Sequence, residues 1–192
     1  NGYKISKIAG MSKEQINHMV IQLKTDRNND AVQVLNLSEA TIRYDEEAFS
    51  KTLSACIKEL GLVKAMDLVL FPFMKRIGML WQTSTLNPSH EIFAANLIRD
   101  QLIIAIDKVK KPVIENPKRF LLFLPEAESH ETGLLFARYL LKRCGHDALY
   151  LGQDVPYSDI TKVTEAFEPD YAFIVLTSLN LGKDINKIIG KV

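Results

Sequence analysis

The chain has 192 residues, 47% of them apolar and 24% charged, a globular composition long enough for one large domain or two small ones. With 24 basic residues against 23 acidic ones the formal net charge is +1, which leaves no electrostatic footprint for nucleic acid or an anionic membrane surface. Cys56 and Cys144 stand far apart without paired spacing, which argues against a thiolate zinc site or a disulfide framework and fits a reducing, cytoplasmic setting. The apolar runs Leu68 to Met74 and Ile103 to Ile106 fall far short of the roughly 18 to 20 residues that span a bilayer. The polar start with Lys4 and Lys7 does not read as a signal peptide.

From Ser12 to about Lys111 the pattern is helical. Ser12 with Gln15 forms a capping box ahead of Ile16, Met19, Val20 and Leu23 at helical spacing. Asp45 is placed to cap a helix in which Phe49, Leu53, Cys56 and Leu60 recur at three and four residues, and Gly61 ends it. Cys56 is thereby a core residue. A long helix is expected from about Leu62 through Trp81, interrupted by Pro72, and another from Asn87-Pro88, an N-cap followed by proline at the first helical position. That last helix is apolar nearly all round, with a narrow stripe of Asn96, Arg99, Asp100 and Asp107, and is expected inside a bundle.

Between Lys108 and Lys118 the composition turns to lysine and proline, and Pro112 and Pro117 forbid a continuing helix. Beyond this boundary the rhythm alternates: strand Phe120 to Leu124, helix Glu131 to Cys144, strand Ala148 to Leu151, helix Ser158 to Phe167, strand Tyr171 to Leu176. This predicts a helical bundle followed by a doubly wound, flavodoxin-like α/β domain with a parallel sheet. Three strands are fewer than the ~5 to 6 usual for such sheets, so the sheet half reads as incomplete. Residues 183 to 192 look helical.

Ligands of open parallel sheets bind beyond the carboxyl ends of the strands, where loop amides and helix N-termini converge. Three loops are expected at that edge. The first runs from Pro125 to Gly133 and carries Glu128 and His130, the second holds Gly152, Asp154, Val155 and Pro156, and the third holds Thr177 and Ser178. A histidine there can offer one ring nitrogen to a metal while a nearby carboxylate fixes its tautomer through the other. Gly133 would let a flat ligand approach the helix. Thr177 and Ser178 are placed either to bond a buried ligand tail or to cap a helix. His18, His90 and His146 show no partner spacing and read as structural or solvent-facing.

Glu128-x-His130-x-x-Gly133 after the first strand, then Leu151-Gly152-x-Asp154-Val155-Pro156 after the second, resembles the corrinoid-binding module of methionine synthase, cobalamin mutases and cobalamin-sensing regulators. Bundles in that group carry Trp, nine residues, then Glu-His. Here Trp81 precedes Glu91 at that spacing, but Ile92 stands where the group has histidine. His90 is no substitute, because two positions along a helix turn a side chain by about 200°. Trp81 also has a reading as core packing, and Glu91 as a first-turn carboxylate favoured by the helix dipole. Gln82 follows Trp81 where light-sensing members resemble a histidine. The opening residues Asn1 to Ala9 are similar to the end of the winged-helix domain of MerR-type regulators.

Together these features resemble the CarH/LitR-like, cobalamin-sensing branch of the MerR family. The resemblance implies residues 1–11 as the remnant of a DNA-binding domain, 12–111 as a helical cap, and 118–192 as an incomplete cobalamin-binding domain. It implies adenosylcobalamin or methylcobalamin held between bundle and sheet by Trp81, Glu91, Glu128, His130, Gly133, Gly152, Asp154, Val155, Pro156, Thr177 and Ser178, with His130 as lower axial ligand of cobalt. It also implies a homo-oligomer that meets DNA only through the missing N-terminal domain and has no membrane partner. A corrinoid carrier of a methyltransferase is the rival, and a degenerate module without the vitamin is a third reading. No acid/base pair, nucleophile–base set or phosphate-cradling glycine loop is present, so catalysis by this chain is not expected.

Overall fold

The computed structural model describes residues 29–82 and 86–177. The segment 1–11, the Ser12 capping box and its helix, Ser178 and the tail from Lys183 lie outside the described residues. The chain forms two compact units, Asn1–Ala94 and Ala95–Val192. The division falls inside a helix, ahead of the Lys/Pro segment at which the sequence changes character.

In the first unit, helix α1 runs through 29–42. Its buried Ser38 and Thr41 return their hydroxyls to the carbonyls of Val34 and Leu37, each at 2.7 Å, so neither polar atom is left unpaired. Helix α2, Glu46–Leu60, begins where Asp45 accepts the backbone N–H of Ala48 at 2.9 Å. It buries Phe49, Leu53 and Cys56 and ends as the Gly61 N–H bonds the carbonyl of Ile57. Phe49 packs edge-on against Phe73 and Phe93.

The helix expected from Leu62 to Trp81 is continuous, but not uniform. A short α3, Leu62–Ala65, passes into a π turn, Met66–Leu70, before α4, Phe71–Gln82. The π turn lies immediately ahead of Pro72. A proline has no N–H to give the carbonyl four residues back, and its ring crowds that carbonyl. The wider turn, in which the Phe71 N–H reaches the carbonyl of Met66, relieves the conflict without breaking the helix.

Helix α5, Pro88–Lys108, starts where the Asn87-Pro88 pair places it. Its burial differs from the fully enclosed helix expected. Ala94, Ile98, Leu102 and Ile106 form a buried stripe at four-residue spacing, whereas Ile92, Ile103 and Ile104 are exposed. An all-round apolar sequence therefore serves one buried face and leaves an apolar one open.

The second unit adds a parallel sheet of three strands in the order β2-β1-β3: β1 Arg119–Pro125, β2 Asp147–Val155 and β3 Tyr171–Ile174. Helices α6, Thr132–Arg143, and α7, Tyr157–Phe167, make the crossovers. The central strand is apolar without alternation because both of its faces are covered. Leu121 and Phe123 pack with Ile160 of α7, and Leu122 and Leu124 with Leu134 of α6. No helix or strand forms between α5 and β1. Gly145, at φ +89°, lies so close to Pro112 and Ile114 of that segment that an added Cβ would stand 2.8 Å from the Ile114 side chain.

The second expected loop is the main correction. Gly152, Asp154 and Val155 belong to β2, which continues past Leu151 to Val155 through two shifts of register against β1. Glycine looked like a strand end, but at φ +86° it makes an irregularity inside the strand instead.

The Asp45 cap supplies a test of the helical unit. Asp45→Ala is expected to lower the unfolding free energy by about 1 kcal/mol, read as a lower urea midpoint at unchanged slope. An unmoved midpoint would show that the cap contributes nothing.

Candidate functional site

The carboxyl ends of the strands bring the first loop and its neighbours together. The Pro125–Glu131 loop is held at its start by the end of β2: the Ala127 N–H donates to Asp154 Oδ1 at 2.9 Å. Both residues have positive φ, 67° and 56°, a conformation L side chains disfavour and that the shared bond helps to hold. Glu126 Oε1 accepts the Tyr157 N–H at 3.3 Å, one residue past Pro156, the N-cap of α7.

Glu128 is the centre of the loop. Its side chain is 1% exposed, and its carboxylate accepts hydrogen bonds from His130 and Thr177. His130 gives its backbone N–H at 3.0 Å and its ring Nδ1 at 2.6 Å, while Thr177, just past β3, gives its backbone N–H at 2.8 Å and its hydroxyl at 2.9 Å. Burial by itself pushes the carboxyl upward, but the hydrogen bonds from Thr177 and His130 outweigh it and hold the group at about 2, against 4.5 ordinarily. Glu128 is therefore an ionised carboxylate that fixes the proton of the imidazole on Nδ1. In the neutral ring Nε2 is then the nitrogen that carries the lone pair, and the imidazole is 55% exposed.

Thr177 gives its amide and hydroxyl to Glu128, and the hydroxyl also stands 2.8 Å from His130 Nδ1. Gly133, in the first turn of α6, faces Val175, whose methyls a Cβ would meet at 3.5 and 3.6 Å, an ordinary contact. Gly152 is buried in the bend of β2, Val155 packs partly buried beside Ile160, and Asp154 anchors the first loop.

The helical unit holds the other two candidates. Trp81 lies next to the last residue of α4 and is 47% exposed, so it is not core. Glu91 lies in the first turn of α5, half-buried, next to the exposed Ile92. That helix start is organised by Tyr44, whose hydroxyl bonds Asn87 Oδ1 and Ser89 and whose ring stacks on His90 at 4.4 Å. His146 accepts the Lys118 N–H at 3.2 Å and is structural, as its lack of partner spacing implied.

Three residues near His130 were not singled out as site residues. Glu131 is almost buried and bonds Arg99 of α5 and the Tyr150 hydroxyl of β2. The one hint was Arg99, an arginine in the narrow polar stripe of an apolar helix.

Residues 35–105, from α1 into α5, match the model of the B12 binding domain family. The HTH-type transcriptional repressor CarH of Myxococcus xanthus is 32% identical over 132 residues, 69% of this chain. The chain carries a CarH-like B12 binding domain. It spans only 43% of the repressor's length. Among solved structures, a cobalamin-binding protein from Desulfitobacterium hafniense DCB-2 is 19% identical with a TM-score of 0.38, over 82% of this chain and 78% of that one. The methanol:cobalamin methyltransferase complex MtaBC of Methanosarcina barkeri is 14% identical with a TM-score of 0.41, over 99% and 73%. Both scores are low, and the fold rests on the helices and the parallel sheet themselves. Among the described residues no helix is long and apolar enough to cross a membrane.

The depressed Glu128 carboxyl has a measurable consequence. The stability it confers is present above about pH 4.5, the unfolded value, and is lost as the pH falls toward about 2. Glu128→Gln lacks that group, so the gap in unfolding free energy between wild type and variant is expected to narrow by about 3 kcal/mol across this window. Urea titrations at several pH values measure it, and a constant gap would contradict the ionised, hydrogen-bonded carboxylate.

Proposed function

We propose that the chain is the cobalamin-sensing effector part of a MerR-type DNA-binding transcriptional regulator. The observation that carries the reading is the hydrogen bond from His130 Nδ1 to the buried, ionised Glu128, which leaves the basic nitrogen on the opposite side of the ring. A neutral imidazole oriented by a carboxylate suits cobalt as an axial ligand. The donor set therefore fits a corrinoid. When bound, that group would supply a cobalt centre able to take a ring nitrogen and to carry a replaceable organic group.

The chain's own residues divide the work. His130 would hold the cobalt through Nε2, while Glu128 holds the Nδ1 proton and Thr177 holds Glu128. Asp154 fixes the start of the first loop through Ala127, and Gly152, Val155 and Pro156 would contact the corrinoid on the strength of the family resemblance. Gly133, Ser178, Trp81 and Glu91 would complete the contacts on the same resemblance. We take 12–111 as the cap, 118–192 as the sheet domain, and 1–11 as the end of the DNA-reading domain. The regulator works as a cytoplasmic homo-oligomer whose DNA contact lies in that N-terminal domain, and the effector part is not an enzyme. The ligand is adenosylcobalamin or methylcobalamin. A methyltransferase carrier would use the same His130 arrangement; the similarity to a repressor favours the sensor.

The test is an absorption spectrum after incubation with adenosylcobalamin or methylcobalamin and gel filtration. Wild type is expected to retain the corrinoid with a spectrum of nitrogen ligation, and His130→Ala to lose that signature and at least about tenfold in affinity. An unchanged spectrum and affinity in His130→Ala would remove His130 from the site. A wild type that retains no corrinoid would overturn the cobalamin reading.

A further inference from the structure

His130 stands between two acidic residues with different attachments. Glu128, two positions before it, reaches the segment after β3. Glu131, directly after it, reaches the other way. Although Glu131 is the N-cap of α6, its side chain makes no capping bond to that helix. Its carboxylate instead accepts the Tyr150 hydroxyl of β2 at 2.7 Å and the Nε of Arg99 at 2.5 Å, with the side chain only 10% exposed. A capping bond is thus forgone for two partners on other elements, although a carboxylate is well suited to the exposed amides of its own helix.

Tyr150 is itself fixed. The Arg138 guanidinium lies over its ring at 4.9 Å, and the ring packs partly buried in the cluster of Leu122, Leu124 and Leu134. The hydroxyl therefore marks a set point on β2 from which Glu131 is hung. Backbone bonds transmit that placement locally: the Glu131 N–H reaches the Ser129 carbonyl at 2.9 Å, and the Leu135 N–H takes up the Glu131 carbonyl at 2.9 Å. The residue bearing the imidazole lies inside this closed turn.

We propose that Arg99 and Tyr150, acting through Glu131, are positioning residues for His130: they fix the loop's trailing end so that the imidazole meets Glu128 in a single tautomer and orientation. The proposal rests on the reading of His130 as the axial ligand. It adds two residues that never touch the corrinoid, and it makes α5 a participant in ligand geometry through Arg99. A carboxylate this buried is strongly disfavoured once a partner is removed, so losing either bond should loosen the turn rather than leave it in place.

The experiment uses the chain of residues 1–192 and two readouts. In the ligand-free protein, ¹⁵N and ¹³C shifts of the His130 imidazole report the tautomer. With methylcobalamin at fixed pH, the absorption spectrum reports the nitrogen-ligated fraction and a titration reports affinity. Wild type is expected to show the Nδ1–H tautomer alone. Tyr150→Phe keeps the ring under Arg138 and removes only the hydroxyl; it and Glu131→Ala are expected to give mixed tautomers, a smaller nitrogen-ligated fraction and roughly tenfold weaker binding, within the range usual for residues behind a metal ligand. Glu131→Gln, which keeps an acceptor for Tyr150, should fall between wild type and Glu131→Ala. Asp45→Ala, which lowers stability in the other unit, should leave the His130 signals unmoved. Wild-type tautomer and affinity in both Tyr150→Phe and Glu131→Ala would overturn the proposal, as would an equal change in Asp45→Ala. If wild type holds no cobalamin, the tautomer alone decides: a shift in the two variants sustains the positioning role while the cobalamin reading fails, and no shift overturns it.

Discussion

A carboxylate taken out of water must be supplied with hydrogen-bond donors, and the carboxyl edge of this sheet is arranged around meeting that demand for Glu128. The donors come from two places that nothing but the fold brings together, the imidazole two residues on and the backbone and hydroxyl of Thr177 after β3. Desolvation works against the charge and the hydrogen bonds more than offset it, which is why the group remains ionised well below the ordinary carboxylate range. The orientation of His130 follows from that balance. The same group ties the loop after β1 to the segment after β3, so the sheet topology β2-β1-β3 is a condition for the histidine geometry.

The loop is suspended from both flanking strands. Asp154 at the end of β2 holds its beginning, Thr177 its middle, and Tyr150 with Arg99 its end. Placing a reactive side chain on a loop while distributing its anchors over rigid elements is the usual way to combine access with a fixed geometry. The exposed imidazole beside an almost wholly buried carboxylate is the outcome here.

Much of this was legible from local signals. The Asp45 cap, the Phe49, Leu53, Cys56 stripe and the stop at Gly61 are periodic or nearest-neighbour features, and the helix forms as they dictate. The apolar run at β1 and the alternation of strands and helices were likewise enough for a parallel sheet. Glu128 and His130 were readable as a pair because they are two residues apart. Thr177 lies 49 residues from Glu128 and Arg99 lies 32 from Glu131, so no spacing rule connects them. The extension of β2 through Gly152 was hidden for another reason: the conformational freedom that lets glycine end a strand also lets it bend one, and only the pairing partner distinguishes the two.

The π turn at Met66–Leu70 reaches further than its five residues. Such a turn takes up roughly one residue more than an α turn, and each residue of a regular helix advances the side chains by about 100° around the axis. An uninterrupted α-helix through the same sequence would keep Leu62, Ala65 and Met66 on the buried face and rotate everything after Leu70. Phe73 and Ile77, eleven and fifteen positions past Leu62, would still fall within about 60° of its direction, whereas Trp81 would turn by about a quarter circle. The angular address of the indole is therefore written at Pro72, nine positions upstream, by the demand of one proline for a helix turn that does not ask it for a hydrogen bond.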